Sequence, residues 1–175
     1  MLKKILVPTD GSDQAVKAVT IASDLAVRNE ADLVIMHVQN DNEPLEPLRR
    51  FAEVEHIPKK NARKRVKSIE ATPHGPVPIP GGEDTVVDLS AARNEISKRV
   101  LAEARTIADE RGARMIDCLL LEGKPAEKIL HTAHEKGADT IVMGSRGLGN
   151  LKSAIFGSVS RKVCEHAGYT CITVN

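Results

Sequence analysis

At 175 residues the chain has the size of one ordinary domain, and with 41% hydrophobic but only 2% aromatic residues its core must be built from Val, Ile, Leu, Ala and Met. The shortage of aromatics excludes a base-stacking platform for single strands, and 25 basic against 24 acidic residues exclude a global nucleic-acid footprint. The three cysteines, Cys118, Cys164 and Cys171, form no CxxC pair and read as buried thiols in a reducing, cytoplasmic setting.

The opening KKILVPTD is a short buried strand ending near Pro8. Its apolar run is too short for a signal peptide or a transmembrane span. Ser12 can cap the next element, where Ala15, Ala18, Val19, Ala22, Leu25 and Ala26 recur at helical spacing to about Asn29. DLVIMHV, Asp32 to Val38, is a continuous apolar run of strand length, as expected for a parallel sheet covered on both faces.

Residues 39–83 break this rhythm with seven prolines, Pro44, Pro47, Pro58, Pro73, Pro76, Pro78 and Pro80, around the basic run KKNARKRVK, Lys59 to Lys67. The stretch is too long for an ordinary connection and reads as an insertion in a single domain, with a short helix over 46–54 or 59–70. Helical periodicity returns from Asp84 to Arg111, with Leu89, Ala92, Ile96, Val100, Ala104 and Ala108 on one face. Met115 to Leu121 is the third strand. Pro125 opens and Gly137 closes the next helix, DTIVMG is the fourth strand, Ser158 to His166 a helix, and YTCITV the last strand. The sum is an open α/β sheet with five strands, four helices and right-handed crossovers.

The fourth strand ends at Gly144 and runs into GSRGLGNLKSAIFGSVSRKV, Gly144 to Val163. Strand, glycine loop, then the start of a helix is the physical recipe for holding phosphate, because the first helical amides are unpartnered and carry the positive end of the dipole. Neither GxxxxGK[ST] nor GxGxxG is present. Ser158 and Ser160 can add hydroxyl donors. Thr9 and Asp10 end the first strand on the same edge, and Asp10 can accept from a ribose or a base, or serve as an Asx turn. Backbone at Val38 can pair with an adenine edge while Met36 packs on its face.

The spacing glycine, two residues, glycine, nine residues, then glycine and Ser is intact at Gly144, Gly147, Gly157 and Ser158. With ILVPTDGSDQAVKA, MHV and GKPAEKIL, it resembles the nucleotide-binding form of the universal stress protein family over about residues 2–38 and 84–174. The resemblance implies strand order 3-2-1-4-5 with helices on both faces, a Rossmann-like, adenine nucleotide alpha hydrolase-like fold. It implies ATP or AMP as ligand, with Mg or Mn accompanying the phosphates, and a stress-response role. Val38 would hold adenine and Asp10 the adenosine moiety. Gly144 would sit near the ribose, and Gly147, Gly157, Ser158, Val159 and Ser160 near the phosphates. Pro8 and Thr9 would line the pocket. It also implies a homodimer through the last strand, Thr170–Val174. Where relatives often carry a proline before that strand, this chain has Gly168-Tyr169-Thr170-Cys171.

No catalytic pair accompanies the phosphate recipe. The sequence sets no acid or histidine beside Asp10 as a catalytic pair, and His37 reads as a structural or pocket-edge residue. His131 and His134 share a helix face without a further ligand by spacing, and read as surface residues. The expected function is therefore adenine-nucleotide binding with little or no hydrolysis. One alternative is a nucleotide-independent dimeric interaction module whose insertion, Lys59 to Lys67, binds an acidic partner, nucleic acid or an anionic membrane surface. The other is an ATP-using hydrolase or ligase.

Overall fold

The computed structural model describes residues 2–40, 59–61, 85–87, 89–147 and 157–175. They divide between two compact units, Met1–Glu43 with Ile96–Asn175, and Pro44–Glu95.

The first unit is built on five strands: β1, Lys4–Pro8; β2, Asp32–Gln39; β5, Ile116–Glu122; β6, Thr140–Gly144; and β7, Thr170–Val174. All pair in parallel, in the spatial order β5-β2-β1-β6-β7. Numbered within this sheet alone, that order is 3-2-1-4-5, as expected. β1 and β2 are in register from Lys4↔Asp32 to Pro8↔Met36.

Strand alternation sorts the side chains into two cores. Ile5, Val7, Leu33 and Ile35 face one side with Ala18, Val19 and Ala22 of α1, Asp13–Asn29, and Ala104 and Ala108 of α2, Leu89–Glu110. Leu6, Val34, Met36 and Ile141 face the other with Ala126, Ile129 and Ala133 of α3, Pro125–Lys136, and Val163 of α4, Ser158–His166. Ile5, Leu6, Leu33, Ile35 and Ile141 are wholly buried, each stabilising the fold by about 1.5–3 kcal/mol. The small alanine faces let the helices lie close to the sheet. Ser12 caps α1 by accepting from the Ala15 amide, Pro125 opens α3, and Gly137 closes it, each as the sequence predicts.

In the second unit β3, Lys59–Asn61, pairs antiparallel with β4, Thr85–Val87, from Lys59↔Val87 to Asn61↔Thr85. This corrects two expectations. Lys59–Asn61 are strand rather than the start of a helix over 59–70, and the helix expected from Asp84 begins at Leu89. The β-branched run Thr85-Val86-Val87 favours an extended partner, and a pairing so far along the chain overrides local helical periodicity. The helix expected over 46–54 and the remainder of the 59–70 helix lie outside the described residues, as do Gly149 and the basic run beyond Asn61.

The cysteines are less uniform than the buried trio expected. Cys164 is exposed on α4, whose narrow buried stripe is Ser160 and Val163, while Cys118 and Cys171 are half-buried. Burial pushes the Cys118 thiol up, and burial with the adjacent Cys164 thiol pushes Cys171 up to about 11. No helix among the described residues is long and apolar enough to cross a membrane.

Candidate functional site

The order of the strands reverses at β1: the chain steps to β2 and β5 on one side, and to β6 and β7 on the other. In an open α/β sheet this reversal leaves a crevice beyond the carboxyl ends of the strands. Pro8, Thr9 and Asp10 leave β1 at that edge, and Gly144, Ser145, Arg146 and Gly147 leave β6 beside them.

The contact between the two exits is direct. A Cβ on Gly147 would overlap Asp10 Oδ2, so the Asp10 carboxylate occupies the space a side chain would need. Asp10 Oδ1 accepts from the Ser12 amide at 3.0 Å, which fixes the carboxylate as an Asx turn leading into α1. Gly144 is required for a similar reason. A Cβ there would meet Arg146 O at 2.9 Å and the Ala15 amide nitrogen at 3.1 Å, where the first turn of α1 abuts the end of β6. Neither glycine has a positive φ. Close approach, rather than a left-handed turn, accounts for both.

Ser145, which the sequence did not single out, organises the far side. Its amide donates to Val174 O at 2.7 Å, and its hydroxyl pairs with Asn175 Oδ1. Its carbonyl accepts from the Gly157 amide at 2.7 Å and from the Ser160 hydroxyl at 2.7 Å. The start of α4 is thereby tied to the ends of β6 and β7. The Ser160 side chain is buried and committed to this tie, so it is not the phosphate-facing hydroxyl donor expected of it. Gly157 caps α4 without any side-chain hydrogen bond, and the first helical bond is from Arg161 N to Gly157 O at 3.0 Å. The amides of Ser158, Val159 and Ser160 therefore precede the helical ladder and meet no acceptor outside the helix among the described residues. Ser158 is exposed and Val159 half-buried. Arg146, on the adjoining loop, has a buried Nε with no hydrogen-bond partner among the described residues.

On the other flank, strand alternation decides what β2 offers. Thr9 N donates to Met36 O at 2.8 Å, and Gly123 N to Gln39 O at 2.9 Å. Even-numbered residues of β2 thus direct their backbone toward β1, and odd-numbered ones toward β5. The β1 pairing ends at Pro8↔Met36, which leaves the Val38 amide and carbonyl facing the crevice. The Met36 side chain is wholly buried in the core with Leu6 and Ile129. It forms the floor of this edge and does not lie open to a base, as the sequence had suggested. His37 is buried, with Nδ1 2.8 Å from Thr9 O.

The structure thus gathers Pro8, Thr9, Asp10, Val38, Gly144, Gly147 and the Gly157–Ser160 turn at one edge of one sheet. His131 and His134 lie elsewhere, exposed on α3, with His131 paired to Glu135 at 3.4 Å. Among the described residues there is no group of three His, Cys, Asp or Glu side chains able to hold a metal ion.

The model of the universal stress protein family matches residues 1–175. The chain belongs to the universal stress protein family. Universal stress protein YxiE of Bacillus subtilis is 33% identical over 168 residues, covering 94% of this chain and 93% of the relative. Among solved structures, a universal stress protein in complex with cAMP is similar with a TM-score of 0.61 at 21% identity, covering 99% of this chain and 97% of the other. A universal stress protein from Archaeoglobus fulgidus in complex with dAMP is similar with a TM-score of 0.60 at 20% identity, covering 100% of this chain and 98% of the other. At those identities the two structures show a shared fold.

Proposed function

We propose that this universal stress protein binds an adenine nucleotide, ATP in the first instance, and hydrolyses it little or not at all. The observation that carries the reading is the start of α4. It is a helix terminus without a side-chain cap, its Ser158–Ser160 amides without an acceptor outside the helix among the described residues, set against Gly157 and Ser145 at the reversal point of the sheet. The Nε of Arg146, buried and without a hydrogen-bond partner among the described residues, fits an anion in the same loop, because a buried donor left unsatisfied is costly. The backbone of Val38 offers one donor and one acceptor to the edge of a base. Asp10 meets the ribose from the end of β1. The cAMP and dAMP complexes of similar proteins support the adenosine moiety as the common element.

A divalent ion accompanying the phosphates would find the Asp10 carboxylate at this edge, with the phosphate oxygens supplying other ligands. The commitment of Asp10 to the Ser12 amide suits holding rather than proton transfer. β7 lies at the edge of the sheet, and pairing with a second copy through Thr170–Val174 would satisfy its outer backbone groups. A cytoplasmic, stress-responsive role accords with the family.

Calorimetric titration of nucleotide-stripped protein with ATP and magnesium, with AMP alongside, tests the reading. Binding by the wild type, abolished in Gly157→Val, is the expected result, with phosphate release no faster than in protein-free buffer. An absence of heat with either nucleotide in the stripped, folded wild type would overturn it.

A further inference from the structure

We propose that His37 is a positioning residue of the site, one that holds Thr9 and keeps the Val38 edge open; the functional consequence rests on the nucleotide-binding reading. His37 is 6% exposed, and no step proposed above uses it. Its Nδ1 lies 2.8 Å from Thr9 O. A carbonyl oxygen only accepts, so Nδ1 carries the hydrogen, and the neutral ring is the Nδ1–H tautomer.

The position of this bond gives it meaning. The parallel ladder of β1 with β2 reaches its last rung at Thr9 N to Met36 O, 2.8 Å. One further rung would run from the Val38 amide to Thr9 O. Among the described residues that rung is not made, and the His37 ring supplies the donor in its place. Two effects follow from the one substitution of donor. The Val38 amide is left for an external acceptor. The Thr9 peptide is gripped at both ends, by Met36 O at its amide and by His37 at its carbonyl.

The segment after Thr9 inherits this placement. Thr9 Oγ1 accepts from the Gly11 amide at 3.3 Å, and Asp10 Oδ1 accepts from the Ser12 amide at 3.0 Å. Gly11 has φ +77°, and a Cβ there would stand 3.1 Å from the Val100 side chain. The segment that presents Asp10 is therefore built from short-range bonds referred to one anchored carbonyl.

The decisive variants differ in where they place a donor. Asn at position 37 offers an N–H on the atom next to Cγ, as Nδ1 does. Gln offers one a bond farther out, and Leu offers none. ATP titration should give near-wild-type affinity for His37→Asn, and affinity weaker by about tenfold or more for His37→Leu and His37→Gln. Amide hydrogen exchange without nucleotide should be faster at Gly11 and Ser12 in the Leu and Gln variants, and unchanged in the Asn variant. Should Leu fail to fold, the Asn–Gln pair carries the comparison. Wild-type affinity and exchange in His37→Gln, or an Asn variant as impaired as Gln, would overturn the proposal. A wild type that binds no nucleotide would sink the functional reading instead. The exchange pattern would then decide the placement of the loop by itself, with unchanged rates in His37→Gln counting against it.

Discussion

At the scale of single residues the site is a matter of tenths of an ångström. Gly147 is the clearest case, because the Asp10 carboxylate fills the volume of its missing side chain. Gly147→Ala requires that carboxylate to turn, which should weaken its bond to the Ser12 amide. The expected cost is about 1–3 kcal/mol in stability, read from denaturant unfolding. ATP affinity should fall by about tenfold or more, read by calorimetry. An alanine variant with wild-type stability and affinity would show that the loop relaxes freely. The spacing of Gly144, Gly147 and Gly157 was legible in the sequence, and so was their association with a helix start. Their physical reason was not. Glycine suggests a left-handed turn, whereas Gly144 and Gly147 are glycine because the first turn of α1 and the Asp10 carboxylate lie against them. Ser160 shows the same limit. Its spacing suggests a hydroxyl donor to phosphate, but the carbonyls of Ser145 and Gly157 claim its hydroxyl.

At the scale of elements, the edge of the sheet opposite the site is held by Asp139. Its carboxylate accepts from the Lys3 amide at 2.7 Å and the Lys4 amide at 3.3 Å, while its own amide donates to Lys4 O at 3.0 Å. Thr170 N donates to Asp139 O at 3.3 Å, so the starts of β1, β6 and β7 meet at one residue. Burial raises the pKa of this carboxyl, but the Lys3 and Lys4 amides prevail and hold it below the usual carboxylate range. A folded-state value below the unfolded one stabilises above the ordinary aspartate value, about 3.9, and that stability is lost as the pH falls through the lower folded value. Asp139→Asn should therefore melt at a lower temperature than wild type at pH 7. The gap should close on acidification through that range, as followed by thermal melts across pH. A gap of constant size at every pH would assign the effect to packing instead of charge. Element order and most boundaries were legible because caps and apolar periodicity are local. The exception is β3 with β4, where the signal is a pairing between segments far apart in the chain.

At the scale of the whole molecule, β7 is an edge strand whose two sides differ. Thr170 N bonds to Asp139 O, and Val174 O accepts from Ser145 N. Even-numbered residues of β7 thus turn inward to β6, and Cys171 and Thr173 turn their backbone outward. Proline at 173 removes an outward N–H and no inward one. On the proposed pairing of two copies through this edge, Thr173→Pro should leave the monomer stable to within about 1 kcal/mol and weaken that pairing by about tenfold or more, measured by analytical ultracentrifugation. Equal sedimentation of variant and wild type as dimers would place the dimer interface on another surface.

The sequence by itself determined the α/β class, the order of strands and helices in the main sheet, the aliphatic core and the helix caps. It also pointed to the carboxyl edge of β1 and β6 as the candidate site. These depend on composition, periodicity and neighbours within a few positions, which a linear chain records directly. Only the tertiary structure decided why Gly147 must be glycine, that Ser160 faces inward, that Met36 is floor and not wall, and that His37 takes the rung Val38 would have filled. Each of these depends on which atoms from distant segments compete for one carbonyl or one small volume. That competition is settled only when the strands are side by side.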